Sequence, residues 1–127
     1  MLIKDFYTIL KTTIIDQNLI HVIIKLNKSH EVFNGHFPGN PITPGVCMLQ
    51  TIKEITQDYV GNSLCLQTIS NMKFTALINP NINSELILEL SINEENDAVK
   101  IKNSTKFTDD TIALKCNGTF IKTKELA

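Results

Sequence analysis

Apolar and polar positions along the chain follow two different periods. Between Val46 and Val60, the residues Met48, Leu49, Ile52, Ile55 and Tyr59 recur at the i, i+3, i+4, i+7 spacing of a helix with one buried face. Pro44-Gly45 suits the start of that helix and Gly61-Asn62 its end. The run from Leu19 to Leu26 is rich in β-branched residues and reads as a strand. Leu64 to Asn79, Glu85 to Ile92, Val99 to Thr108 and Thr111 to Lys122 alternate and read as four more. Breaks at Asn79-Pro80-Asn81, Asn93 to Asp97 and Asp109-Asp110 read as turns, the last as a tight hairpin. The first dozen residues place Leu2, Phe6, Ile9 and Leu10 on one side, which predicts a short amphipathic helix. Residues 27–45 carry Gly35, Pro38, Gly39, Pro41, Pro44 and Gly45 and form a long, stiffened loop. In so small a domain such a loop is usually functional.

The predicted order is helix, strand, loop, long helix, then four strands able to pair as an antiparallel meander. One amphipathic helix against an antiparallel sheet is an α+β domain, and residues 1–127 read as a single one. The edge strands of such a sheet invite pairing with a second copy.

Composition narrows the function classes. Hydrophobic residues are 43% and charged residues 20%, ordinary for a globular chain and far from the disordered or membrane classes. The longest apolar stretches, such as Ala76-Leu77-Ile78, are too short to span a bilayer. An acid at Asp5 and no uninterrupted apolar core after Met1 point to a cytoplasmic protein rather than a secreted one. All twelve basic residues are lysine, spread along the chain. Without arginine there is no bidentate fork for phosphate or guanine, which argues against a nucleic-acid partner. A lysine still meets a single phosphate as a point charge. Cys47, Cys65 and Cys116 are isolated from one another and read as reduced structural thiols. No CxxC, HxxxH or HExxH pattern provides a metal site.

The candidate chemistry lies in the loop from His30 to Val46. Prolines and glycines around His36 fix the backbone and deliver it to a helix N-terminus, a plausible way to hold one titratable side chain beside unpaired amides. His21 and His30 lack such surroundings and read as structural. Phe33 and Phe37 either line a channel or pack in the core.

The segment His36-Phe37-Pro38-Gly39-Asn40-Pro41-Ile42-Thr43-Pro44-Gly45-Val46 resembles the active-site signature HFPGxPxxPGV of the β-hydroxyacyl-acyl-carrier-protein dehydratases. It covers eleven of 127 residues, and the order of elements is similar to that family's hot-dog fold, a sheet wrapped about a central helix. The resemblance implies elimination of water from a 3-hydroxyacyl thioester to give the trans-2-enoyl product, without metal or cofactor. In the family, a histidine acts with an acid fourteen residues later on the helix. Here His36 matches the histidine, but position 50 is Gln50, and an amide exchanges no proton at neutral pH. The family helix often reads Glu-x-x-x-Gln, whereas Gln50-Thr51-Ile52-Lys53-Glu54 has the pair exchanged. Residues four apart share a helix face, about 6 Å apart along the axis. Glu54 is therefore the candidate for the missing acid.

By the same resemblance, Gln50, Gly45, Val46, Phe37 and Pro44 contact substrate, the helix amides polarising the thioester carbonyl. The partners it implies are acyl-carrier protein or coenzyme A thioesters and a homodimer or higher homo-oligomer, with His36 of one chain facing Gln50 and Glu54 of the other. No nucleic acid or membrane partner is expected. Two alternatives stand beside the dehydratase: a non-catalytic thioester-binding partner of an active homologue, and a hot-dog thioesterase with Glu54 activating water.

Overall fold

The structure is a computed structural model, and it describes residues 4–35 and 39–123. Six strands form one antiparallel sheet: β1 (Tyr7–Asp16), β2 (Leu19–Leu26), β3 (Leu64–Phe74), β4 (Glu85–Glu95), β5 (Ala98–Lys106) and β6 (Ile112–Lys122). Two helices interrupt them, a single turn α1 (Val32–Gly35) and the long α2 (Gly45–Val60).

Side-chain alternation builds the core. Ile20, Val22, Ile24 and Leu26 on β2, and Leu86, Leu88, Leu90 and Ile92 on β4, are buried on one face of the sheet. Val99 and Ile101 on β5 and Leu114, Cys116 and Phe120 on β6 extend that face. Cys47, Met48, Ile52 and Ile55 of α2 join the same cluster, so the helix lies on the inner face of the sheet. Two threonines on this buried helix face satisfy their hydroxyls within the helix, Thr51 on the Cys47 carbonyl at 2.9 Å and Thr56 on the Ile52 carbonyl at 2.7 Å.

The end of α2 follows from its sequence. Gly61 adopts φ 70°, and its N–H donates to the Gln57 carbonyl at 2.8 Å. A side chain at this left-handed position is strained. Gly61→Ala is expected to cost about 1–2 kcal/mol of stability, read as a lower urea midpoint at unchanged slope.

Three expectations are corrected. Among the described residues the N-terminal segment is not a helix: Tyr7–Asp16 is strand β1, paired antiparallel with β2 through a turn at Gln17-Asn18, and Leu2 lies outside the described residues. The register shift between Ile9 and Lys11 interrupts the pairing at Leu10, so the adjacent apolar pair Ile9-Leu10 does not show a strand's alternation. The four later strands do not form a simple meander, because the sheet order is β1-β2-β4-β5-β6-β3. β3 crosses over to pair with β6 and becomes an edge. Finally, β3 stops at Phe74 rather than Asn79. The chain beyond it turns back, with the Thr75 and Ala76 N–H groups donating to the Ala113 carbonyl at 2.9 and 3.3 Å.

The turns are largely as read. Asn96-Asp97 joins β4 to β5 with Asn96 at φ 56°, a conformation asparagine tolerates. Asp110 has φ 72° in the hairpin before β6. There the Asp109 carboxylate accepts the Thr111 N–H at 2.9 Å, and this hydrogen bonding lowers its pKa. Among the described residues no helix is long and apolar enough to cross a membrane.

Candidate functional site

Helix α2 presents Gln50, Glu54 and Asp58 one turn apart, along a stripe that is not part of its buried face. Gln50 Nε2 donates to Glu54 Oε2 at 3.0 Å. The Tyr7 hydroxyl, from β1, donates to Glu54 Oε1 at 2.9 Å. Both carboxylate oxygens thus meet a donor, one from the helix and one from the edge strand. An ionised carboxylate only accepts, so the amide must turn its NH2 toward Glu54 and its oxygen away. The result is a half-buried carboxyl beside an amide whose oxygen is turned away from it.

Tyr7 was not among the candidates. The sequence pattern around it predicts an amphipathic helix, and nothing in that local pattern brings Tyr7 to position 54. Partial burial chiefly, together with the hydrogen bond to Glu54 and the charges of Glu54 and Asp58, raises its phenol above the ordinary range. Tyr7 is a hydrogen-bonding group here and not a proton donor at neutral pH. A mostly apolar hollow lies between β1, β2 and α2, lined by Ile9, Thr12, Ile20, Val22, Ile55, Asp58 and Tyr59.

The start of α2 is arranged as the Pro-Gly pair dictates. Pro44 is the N-cap, extended at φ −66° and ψ 145°, and no side chain caps the helix. The first amides are therefore not consumed by a capping side chain. Gly45 is packed closely: an added Cβ would lie 3.3 Å from the Phe74 ring and 3.5 Å from the Met72 methyl. Val46 is 72% exposed, as a contact to something outside this chain requires. Just before the cap, Thr43 donates its N–H to the Ile78 carbonyl at 2.9 Å. His36 and Phe37 lie outside the described residues.

Other expectations sort themselves by contact. His30 donates from Nε2 to the Lys4 carbonyl at 2.9 Å and accepts the Val32 N–H at Nδ1, at 3.0 Å, so it organises the loop. His21 sits 3.4 Å from Glu89, away from Glu54. Phe33 is buried against Phe6 and belongs to the core. Burial raises the thiols of Cys47 and Cys116 above their ordinary range, keeping them protonated. Among the described residues no group of three or more His, Cys, Asp or Glu gathers as metal ligands do.

The sequence matches the ApeI-like family, ApeI dehydratase, over residues 12–115. The chain belongs to the ApeI-like dehydratase family. Its match covers β2 to β5 entirely, with the second half of β1 and the start of β6. This ApeI-like chain is also 31% identical to the 3-hydroxyacyl-[acyl-carrier-protein] dehydratase FabZ of Lactobacillus helveticus, over 73% of its own length and 66% of that protein's. It is 28% identical to FabZ of Lactococcus lactis, over 84% of its own length and 74% of that protein's. Among solved structures, one from the dehydratase heterocomplex ApeI:P of Xenorhabdus doucetiae superposes with a TM-score of 0.73 at 18% identity, covering 91% of this chain and 97% of that one. A hypothetical thioesterase of Streptococcus pneumoniae, solved with coenzyme A, superposes with a TM-score of 0.65 at 12% identity, covering 95% and 88%. These neighbours establish the hot-dog fold for the ApeI-like chain, with α2 as the central helix.

Proposed function

We propose that this chain is a 3-hydroxyacyl-thioester dehydratase in which Glu54 replaces the helix acid that the FabZ relatives' signature leads one to expect at position 50. The observation that carries this reading is the bond between Gln50 and Glu54, which puts a carboxyl within one side chain of the expected position. The elimination balances with two groups. His36 takes the proton from C2, the C2–H electron pair forms the C2=C3 double bond, and the C3–O bond breaks. Glu54, in its protonated form, delivers a proton to the departing hydroxide, so that water leaves. Gln50, with its amide oxygen turned outward, accepts a hydrogen bond from the substrate hydroxyl. The Gly45 and Val46 amides receive the thioester carbonyl and stabilise the negative charge that develops on its oxygen as C2 loses its proton. Pro44 and Phe37 flank the thioester and the start of the acyl chain. The substrate arrives on acyl-carrier protein or coenzyme A, and two copies of the chain pair so that His36 of one faces Glu54 of the other. The site needs no metal or cofactor, and the protein works in the cytoplasm.

A second reading has a specific observation behind it. Gln50 occupies the acid's position, and the chain superposes on a subunit of a dehydratase assembly made of unlike chains. Pairing with a non-identical subunit that supplies its own acid fits both facts. In that case the two-copy arrangement is replaced by one of unlike chains.

The test is the hydration–dehydration assay on 3-hydroxyacyl and trans-2-enoyl thioesters, following the enoyl chromophore and free thiol together. His36→Ala is expected to lower enoyl formation by about 10²–10⁴-fold, the usual loss when an acid–base group is removed. Thiol release without enoyl formation means a thioesterase. An inert wild type that becomes active as Gln50→Glu, or on addition of an unlike dehydratase chain, means a binding subunit.

A further inference from the structure

Edge strand β1 reaches the proposed acid through one side chain. We infer that Tyr7 is a positioning residue for the dehydration, its phenol holding the Glu54 carboxyl where Glu54 exchanges a proton with substrate; this rests on the dehydratase reading above.

The geometry makes Tyr7 suited to a carboxyl that changes protonation state. Glu54 Oε1 receives the Tyr7 hydroxyl at 2.9 Å and Oε2 receives Gln50 at 3.0 Å. When Glu54 gains a proton, its own O–H needs an acceptor in a half-buried setting, where an unmet polar group is costly. A phenol oxygen both donates and accepts. Tyr7 can therefore donate to the carboxylate and, by rotating its hydroxyl, accept from the resting acid until the substrate hydroxyl takes that proton. Gln50 keeps donating to the other oxygen in both states, so its amide oxygen stays turned toward substrate.

Tyr7 is itself held firmly. Its backbone pairs with Leu26 of β2, and its ring meets the fully buried Phe6 edge-on at 6.4 Å between centroids. The charged groups bearing on its hydroxyl are Glu54 and Asp58, both from α2. Both disfavour a phenolate, so the hydroxyl keeps its proton while the carboxyl loses and regains one.

Tyr7→Phe keeps the ring and removes only the hydroxyl. Relative to wild type, kcat for enoyl formation is expected to fall about tenfold to hundredfold, the scale of a misplaced catalytic group, with KM changed by less than about twofold. In the Glu54→Gln background, Tyr7→Phe is expected to add no further loss, because the two act as one unit. A second readout needs no turnover. The chain has two tyrosines. In a Tyr59→Phe background Tyr7 alone titrates, and its phenolate absorbance is expected to appear at lower pH after Glu54→Gln, since removing a neighbouring negative charge favours the phenolate.

Wild-type kcat in Tyr7→Phe, or losses that add with Glu54→Gln and accompany a large fall in thermal midpoint, would overturn the inference. So would a phenol titration indifferent to residue 54. If the wild type turns over no thioester, the dehydratase reading falls. The titration then still decides whether Tyr7 and Glu54 are coupled: a shift supports the coupled pair, and its absence removes it.

Discussion

Glu54→Gln is expected to lower enoyl formation by about 10²–10⁴-fold while leaving the fold intact, measured as kcat on a 3-hydroxyacyl thioester alongside circular dichroism. The substitution is nearly isosteric and keeps an oxygen to accept from Tyr7 and an amide to meet Gln50. What it removes is the exchangeable proton, since an amide neither gives nor takes one at neutral pH. The sharper form of the experiment swaps the pair. Gln50→Glu with Glu54→Gln restores the order in which the acid stands one turn earlier, and the amide at 54 can still hold it. That double variant is expected to recover turnover to within about tenfold of wild type, because both groups of the acid–base pair are again present. Failure of the swap, with Glu54→Gln as active as wild type, would remove Glu54 from the chemistry altogether.

Gly118→Ala is expected to destabilise the protein by about 1–3 kcal/mol, the usual cost of overpacking, seen as a lower urea midpoint. An added Cβ at Gly118 would lie 2.7 Å from the backbone oxygen of Thr68 and 3.2 Å from Ile69 Cδ1. Backbone cannot swing aside as the end of a flexible side chain can, so β3 must move away from β6. The position falls where the pairing of these two strands carries register shifts, between Leu66 and Thr68 and between Ile69 and Asn71. The consequence reaches the site, because β3 ends at Phe74, whose ring packs on Gly45 at the start of α2. A loosened β3 therefore disturbs the same helix start that the proposed thioester contact uses. A midpoint equal to wild type would show that the β3–β6 pairing absorbs the methyl group without strain.

Much of the fold was legible because its signals are local. The helical spacing from Met48 to Tyr59 and the glycine at Gly61 set α2 almost to the residue, since amphipathic period and left-handed capping are properties of a few neighbours. Strand β2 was visible in its β-branched residues, and β4, β5 and β6 in their alternation, for the same reason. Strand β1 was not. Its adjacent Ile9 and Leu10, at a register shift, do not alternate as a strand's residues do, and pairing with β2 makes it a strand. That error also concealed Tyr7.

By itself, the sequence determined the α+β class, the long helix, the family signature and the exchange of acid and amide between positions 50 and 54. Each is written in residues adjacent or one helical turn apart. Only the tertiary structure decided that β3 crosses to pair with β6, and that Tyr7 meets Glu54 across 47 positions of chain. Strand order and long-range contacts depend on which surfaces bury one another, and a local pattern of apolar residues is compatible with several such arrangements.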